Sequence, residues 1–91
     1  MKKERSDEIK GNRHLFYQAI LTNEEVLKFC ADFYILESAR MTEVKIEPDE
    51  RNKAFYVYLT PKGVGIELLQ ASFKEGCLCK WHEKFEKTLD T

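Results

Sequence analysis

Residues Pro48–Gly63 read PDERNKAFYVYLTPKG, and their reading decides the fold. Asp49-Glu50-Arg51-Asn52 supplies turn chemistry, since short polar side chains satisfy a reversing backbone locally. Ala54–Thr60 then alternates: Phe55, Val57 and Leu59 fall on one face, Tyr56 and Tyr58 on the other. That period of two marks a strand. Upstream, Thr42–Glu47 alternates as well, with Val44 and Ile46 opposed to Glu43, Lys45 and Glu47. Two such runs joined by a charged turn predict an antiparallel hairpin. Downstream, Pro61 and Gly63 break the strand, and a helical pattern follows.

Working outward, Thr22-Asn23-Glu24-Glu25 has the form of a capping box, in which the threonine hydroxyl and the glutamate three residues on satisfy each other's backbone amides. A helix is therefore expected from Asn23 to about Ala39, its wide apolar face formed by Val26, Leu27, Phe29, Cys30, Phe33, Tyr34 and Leu36. Ile9–Leu21 also fits a helix, with Leu15, Phe16, Ala19 and Ile20 on one side. After Gly63, apolar residues recur at Ile66, Leu69, Phe73, Cys77, Trp81, Phe85 and Leu89. A continuous helix over Gly65–Leu89 would be about 37 Å long, with Gly76 placed to kink it.

The chain has 91 residues, of which 43% are hydrophobic and 34% charged, with a net charge of −1. These values describe one globular domain over residues 1–91, with residues 1–8 expected to be disordered. Near-neutral charge means that nucleic acid would have to be held by a local basic surface. No apolar run reaches the ~20 residues that a membrane helix needs. The opening MKKERSDEIKGNR lacks the apolar core of a secretory signal. Three cysteines that do not pair, Cys30, Cys77 and Cys79, point to a reducing, cytoplasmic setting.

The order helix, helix, strand, charged turn, strand, LTPKG, long helix resembles a winged helix, and Val57-Tyr58-Leu59-Thr60-Pro61-Lys62-Gly63 resembles the end of the wing in MarR-type bacterial regulators. The resemblance implies an α+β winged-helix-like domain. It would comprise two helices, an antiparallel β-hairpin and a long C-terminal helix that pairs two copies. It also implies a helix-turn-helix laid over Leu15–Val26. DNA contacts would then come from Arg51 and Lys53 on the wing, Asn23 and Lys28 on the second helix, and Arg13 in the basic N-terminal stretch. The homodimer would bury Trp81, Phe85 and Leu89, whose stripe also exceeds what a small core needs.

Against DNA, the exposed side of the second helix offers Glu24, Glu25 and Asp32 with Lys28 alone, and carboxylates repel phosphates. A protein-binding module, an inhibitor or adaptor, is the alternative, with Tyr56 and Tyr58 as its interface. Cys77, Cys79 and His82 cluster in sequence. Cys77 falls on a different helix side, so a four-ligand zinc site would need Cys30 and His14 through the fold. The plainer expectation makes Cys30 and Cys77 small core residues and leaves His82 solvated. No phosphate loop and no Ser/His/Asp order stands out. No metal, no cofactor and no enzymatic activity are expected.

Overall fold

A computed structural model describes residues 14–90 of the chain. The elements run β1 (His14–Leu21), α1 (Asn23–Phe33), a 3₁₀ turn at Glu37–Met41, β2 (Thr42–Asp49) and β3 (Ala54–Pro61). Then come α2 (Gly65–Glu75), a 3₁₀ turn at Cys79–Trp81 and β4 (Glu86–Asp90). The four strands form one sheet in the order β2-β3-β1-β4, with every neighbouring pair antiparallel. Element order and strand order together are those of the split βαβ, or ferredoxin-like, arrangement.

The hairpin forms as expected, in a register that sets Val44 against Leu59, Ile46 against Val57 and Glu47 against Tyr56. Pro48 is tolerated because β2 is an edge strand, where a missing amide costs no ladder bond. The capping box also forms: Thr22 Oγ1 accepts from the Glu25 amide at 3.2 Å, and Glu25 Oε1 accepts from the Thr22 amide at 3.0 Å.

Three expectations need correction. Residues 14–21 are a strand, so the helix-turn-helix laid over Leu15–Val26 does not form. A short apolar run fits periods of two and 3.6 alike. In the fold Leu15, Tyr17, Ala19 and Leu21 are buried together, and the free edge of β3 is filled by β1. A hairpin alone is marginal in water, and the added strand supplies what it lacks.

Second, α1 ends at Phe33, short of Ala39. Its last carbonyls are taken by the Tyr34 and Leu36 amides, and the chain must turn there to reach the outer edge of the sheet. Third, the long C-terminal helix is replaced by α2, a turn and β4. Gly76 ends α2 instead of kinking it, in an extended conformation, with its amide bonded to the Ser72 carbonyl. A side chain there would bring a Cβ to 2.9 Å from the Ser72 Cα.

Both helices lie on the Tyr17 face of the sheet. Phe73 of α2 stacks on Tyr17 at 4.7 Å between ring centroids. Phe85, just before β4, meets Phe73 at 5.4 Å and Phe29 of α1 at 4.8 Å. Phe29 also meets Phe33 at 5.3 Å and takes Trp81 edge-on at 5.4 Å. Trp81 and Phe85 are 7% and 6% exposed, so they are core residues and are not available to pair two copies as expected. Leu89 lies in β4 opposite Leu15; its side chain falls outside the described ones.

The turn into β4 is tied to α1 by polar contacts. Trp81 Nε1 donates to Asp32 Oδ2 at 2.8 Å, and the same oxygen pairs with Lys80 at 3.2 Å. Lys84 pairs with Glu25 at 2.8 Å. At the other end, Gly65 packs so closely on the 3₁₀ turn that an added Cβ would sit 2.6 Å from the Met41 Cβ and 2.9 Å from its carbonyl oxygen.

Two outcomes follow for stability. Phe29→Ala removes the ring on which Phe33, Trp81 and Phe85 meet, and should cost about 3–5 kcal/mol in a urea titration. Asp32→Ala strands the Trp81 indole donor and should cost about 1–2 kcal/mol, whereas Asp32→Asn keeps an acceptor in place and should cost less.

Candidate functional site

Alternation along the two central strands creates a second surface. With Leu15, Tyr17, Ala19 and Leu21 turned to the helices, β1 presents Phe16, Gln18 and Ile20 to the opposite face. With Val57 and Leu59 buried, β3 presents Tyr56, Tyr58 and Thr60 there. The register places these residues in rows. One row runs Glu47–Tyr56–Ile20 from β2 to β1; the next runs Lys45–Tyr58–Gln18–Glu86 across all four strands. Beyond them, Glu43 faces Thr60 and Phe16 faces Thr88. Neither helix covers this side. Phe16, Tyr56 and Tyr58 are half-buried by their neighbours, and Ile20 is 58% exposed.

The centre of the face is therefore aromatic and aliphatic, and its rim is charged. On the strands, Glu43, Glu47, Asp49 and Glu86 stand against Lys45. Lys45 pairs with Glu47 at 3.1 Å, and Lys62, just past β3, pairs with Glu43 at 3.4 Å. Both pairs are exposed, and such pairs contribute little to stability.

Asp49 organises the hairpin end. Its carboxylate accepts from the Asn52 side chain at 2.9 Å and from the Tyr56 hydroxyl at 3.0 Å. The bonds from Asn52, and then that from Tyr56, hold the Asp49 carboxyl below the usual aspartate range. The same contact with Asp49 raises the Tyr56 hydroxyl above the usual tyrosine value. Tyr56 is thus fixed at one end, while its ring stays on the open face.

The expected DNA-binding residues are only partly brought together. Arg51 and Lys53 lie exposed in the turn between β2 and β3, where Lys53 adopts a φ of 53°. Asn23, at the start of α1, shares a shallow depression with Lys53 and Phe55. Lys28 lies apart from them, in a groove with Trp81, Lys80 and Lys84. Arg13 and the basic stretch before it are outside the described residues.

Cys77 and Cys79 are both exposed, because the buried Leu78 between them turns both outward. Cys77 is therefore not the core residue expected. Cys30 is half-buried, and its burial pushes the thiol up. His82 Nδ1 contacts the Cys79 carbonyl at 2.9 Å. Among the described residues, no three His, Cys, Asp or Glu side chains converge as a metal site would require. No helix among them is long and apolar enough to cross a membrane.

Tyr56 and Tyr58 are legible as a face from the sequence. Phe16 and Ile20 are not, because their run fits a helix as well as a strand. The signal is the alternation of Leu15, Tyr17, Ala19 and Leu21 up to the capping threonine. Comparison with known proteins finds no matching family model, no matching curated protein and no matching solved structure.

The Asp49–Tyr56 contact gives a pH signature. A carboxyl lowered in the folded state stabilises above its unfolded value, and that contribution is lost as pH falls through the lowered folded value. The Asn52 amide and Tyr56 ring resonances should therefore titrate together, with a midpoint below the ordinary aspartate value of about 3.9. In Tyr56→Phe the Asn52 titration should move back toward that value.

Proposed function

We propose that this chain is a protein-binding module, an inhibitor or adaptor, whose working surface is the open face of its sheet. The observation that carries the reading is the strip of Phe16, Ile20, Tyr56 and Tyr58 on the face away from both helices. Aromatic and aliphatic side chains at the centre of a polar rim are the usual anatomy of a protein interface. Tyrosine suits this place because its ring gains from burial and its hydroxyl tolerates water.

A DNA-binding regulator, as the wing resemblance implies, is the second reading. Aromatic residues on the central strands of a four-stranded sheet can stack on bases, and Arg51 and Lys53 stand at one end. The rim weighs against it. Among the described side chains, the strands place four carboxylates and one ammonium on this face, and that excess repels a phosphate backbone, whose neutralisation normally supplies most of the affinity. Self-association through Trp81 and Phe85 has no support, since both are used inside the chain. Among the described residues, the large apolar side chains left exposed on the helix layer are Leu27, Tyr34, Ile35, Val64 and Leu68.

The test compares Tyr58→Ala and Ile20→Asp with Leu68→Ala, a change on α2, in affinity capture followed by titration of the purified partner. A partner should emerge whose affinity falls at least about tenfold with the two sheet-face changes, as for an interface hot spot, and holds with the third. Single- and double-stranded oligonucleotides should give no anisotropy change at low salt. Oligonucleotide binding that weakens steeply with salt, and with Arg51→Glu and Lys53→Glu, would instead establish the DNA reading.

A further inference from the structure

The chemistry of the rim narrows the kind of partner, on the premise that the open face is a protein-binding surface. We infer that this face docks a cationic segment of its partner, taking arginine or lysine side chains between the tyrosine rings and the carboxylates beside them. The argument starts from register. Glu47 lies directly beside Tyr56, and Tyr58 lies one strand away from Gln18 and two from Glu86. Directly opposed side chains on neighbouring strands have their Cβ atoms about 4.5–5.5 Å apart. A guanidinium lying on the Tyr56 ring is thus within reach of Glu47; one on Tyr58 lies between Lys45, which leans to Glu47, and the Gln18 amide, with Glu86 one strand beyond.

Each part of that setting favours a cation. The ring quadrupole attracts positive charge placed over its face. A carboxylate can take a planar guanidinium through two parallel bonds. The aliphatic stem of an arginine or lysine can lie along Ile20 and Phe16 while its head reaches the rim. The existing ion pairs do not block this. Lys45–Glu47 and Lys62–Glu43 are exposed on both sides, so an incoming cation exchanges for a weakly held one. Among the described side chains that the strands place on this face, an acidic partner would meet Glu43, Glu47, Asp49 and Glu86 against Lys45, and would be turned away. An uncharged apolar partner would gain nothing from the rim carboxylates.

The test is a titration of the isotopically labelled chain, followed by amide shifts, with a defined probe: the blocked octapeptide of alternating arginine and glycine. A second peptide has citrulline in place of every arginine, which keeps the shape and removes the charge. A ten-nucleotide thymidine strand is the third ligand. The arginine peptide should shift residues 16–20 and 56–60 and leave the acidic residues of the helices, Glu24, Glu67 and Glu75, unmoved. Its apparent Kd should rise at least fivefold in Glu47→Gln/Glu86→Gln and in Tyr58→Ala, and the citrulline peptide should be silent. Equal binding of the citrulline peptide, no effect of the double glutamine variant, or shifts scattered over the helices would overturn the cationic inference and leave the protein-binding reading standing. Shifts at 16–20 and 56–60 produced by the thymidine strand and by neither peptide would overturn both.

Discussion

The contact on which the rest of this structure depends is that between Phe29 and Phe85. Phe29 is the buried centre of α1, and Phe85 is the last residue before β4. Their rings meet at 4.8 Å, and through Phe73 the contact continues to Tyr17 on the central strand. A domain of this size buries only about two-thirds of its unfolded surface, so its core has little to spare. Aromatic rings bury the most area per residue and interlock in offset or edge-on pairs. Using six buried rings as one connected cluster ties α1, α2, the turn at Trp81 and the central strand β1 together. It also brings residues 79–85 back over α1, and that return path lets the chain enter β4 beside β1.

The parts of this fold legible in the sequence are those where a local signal had one physical meaning. Thr22 and Glu25 specify a helix start whatever surrounds them. The alternation of Val44 and Ile46, and of Val57 and Leu59, with a polar turn between, specifies a hairpin. The illegible parts are those where two periods fit. Leu15–Leu21 satisfies a helix and a strand, and the choice is made by the unfilled edge of β3, which lies far along the chain, as Tyr17 opposite Leu59 shows. The spacing of Cys77, Trp81, Phe85 and Leu89 at every fourth residue suggested a helix. A 3.6-residue helix drifts about 40° per such step, so those residues would not have shared one face. In the fold they belong to a turn and a strand, and Trp81 and Phe85 face the core for different reasons.

The double period of Leu15–Leu21 also conceals half of the candidate site. Tyr56 and Tyr58 stood out because their strand did. Phe16 and Ile20 became visible as their neighbours only once β1 paired with β3, since a cross-strand row is a property of two segments and neither carries it alone. The Trp81–Asp32 bond is a further example. Nothing local to either residue indicates it, yet it gives the indole donor an acceptor and lowers the Asp32 carboxyl, with the Lys80 ammonium assisting.

The topology explains why the exposed face is available for recognition. In a split βαβ domain both helices connect strands across the same side of the sheet, so the other side receives no cover from the crossovers. A sheet with one bare face is stable in water when that face is polar, and β2 follows this with Glu43, Lys45 and Glu47. The central strands depart from it, placing Phe16, Ile20, Tyr56 and Tyr58 on the side away from the helices. Nothing in the core requires those four residues, because the buried register of Tyr17, Ala19, Val57 and Leu59 is complete without them. Apolar side chains gathered on a face that neither helix covers are what the proposed docking of a partner would use. Asp49, by holding the Tyr56 hydroxyl, fixes one end of that ring in advance, and the proposed docking would lose less entropy for it.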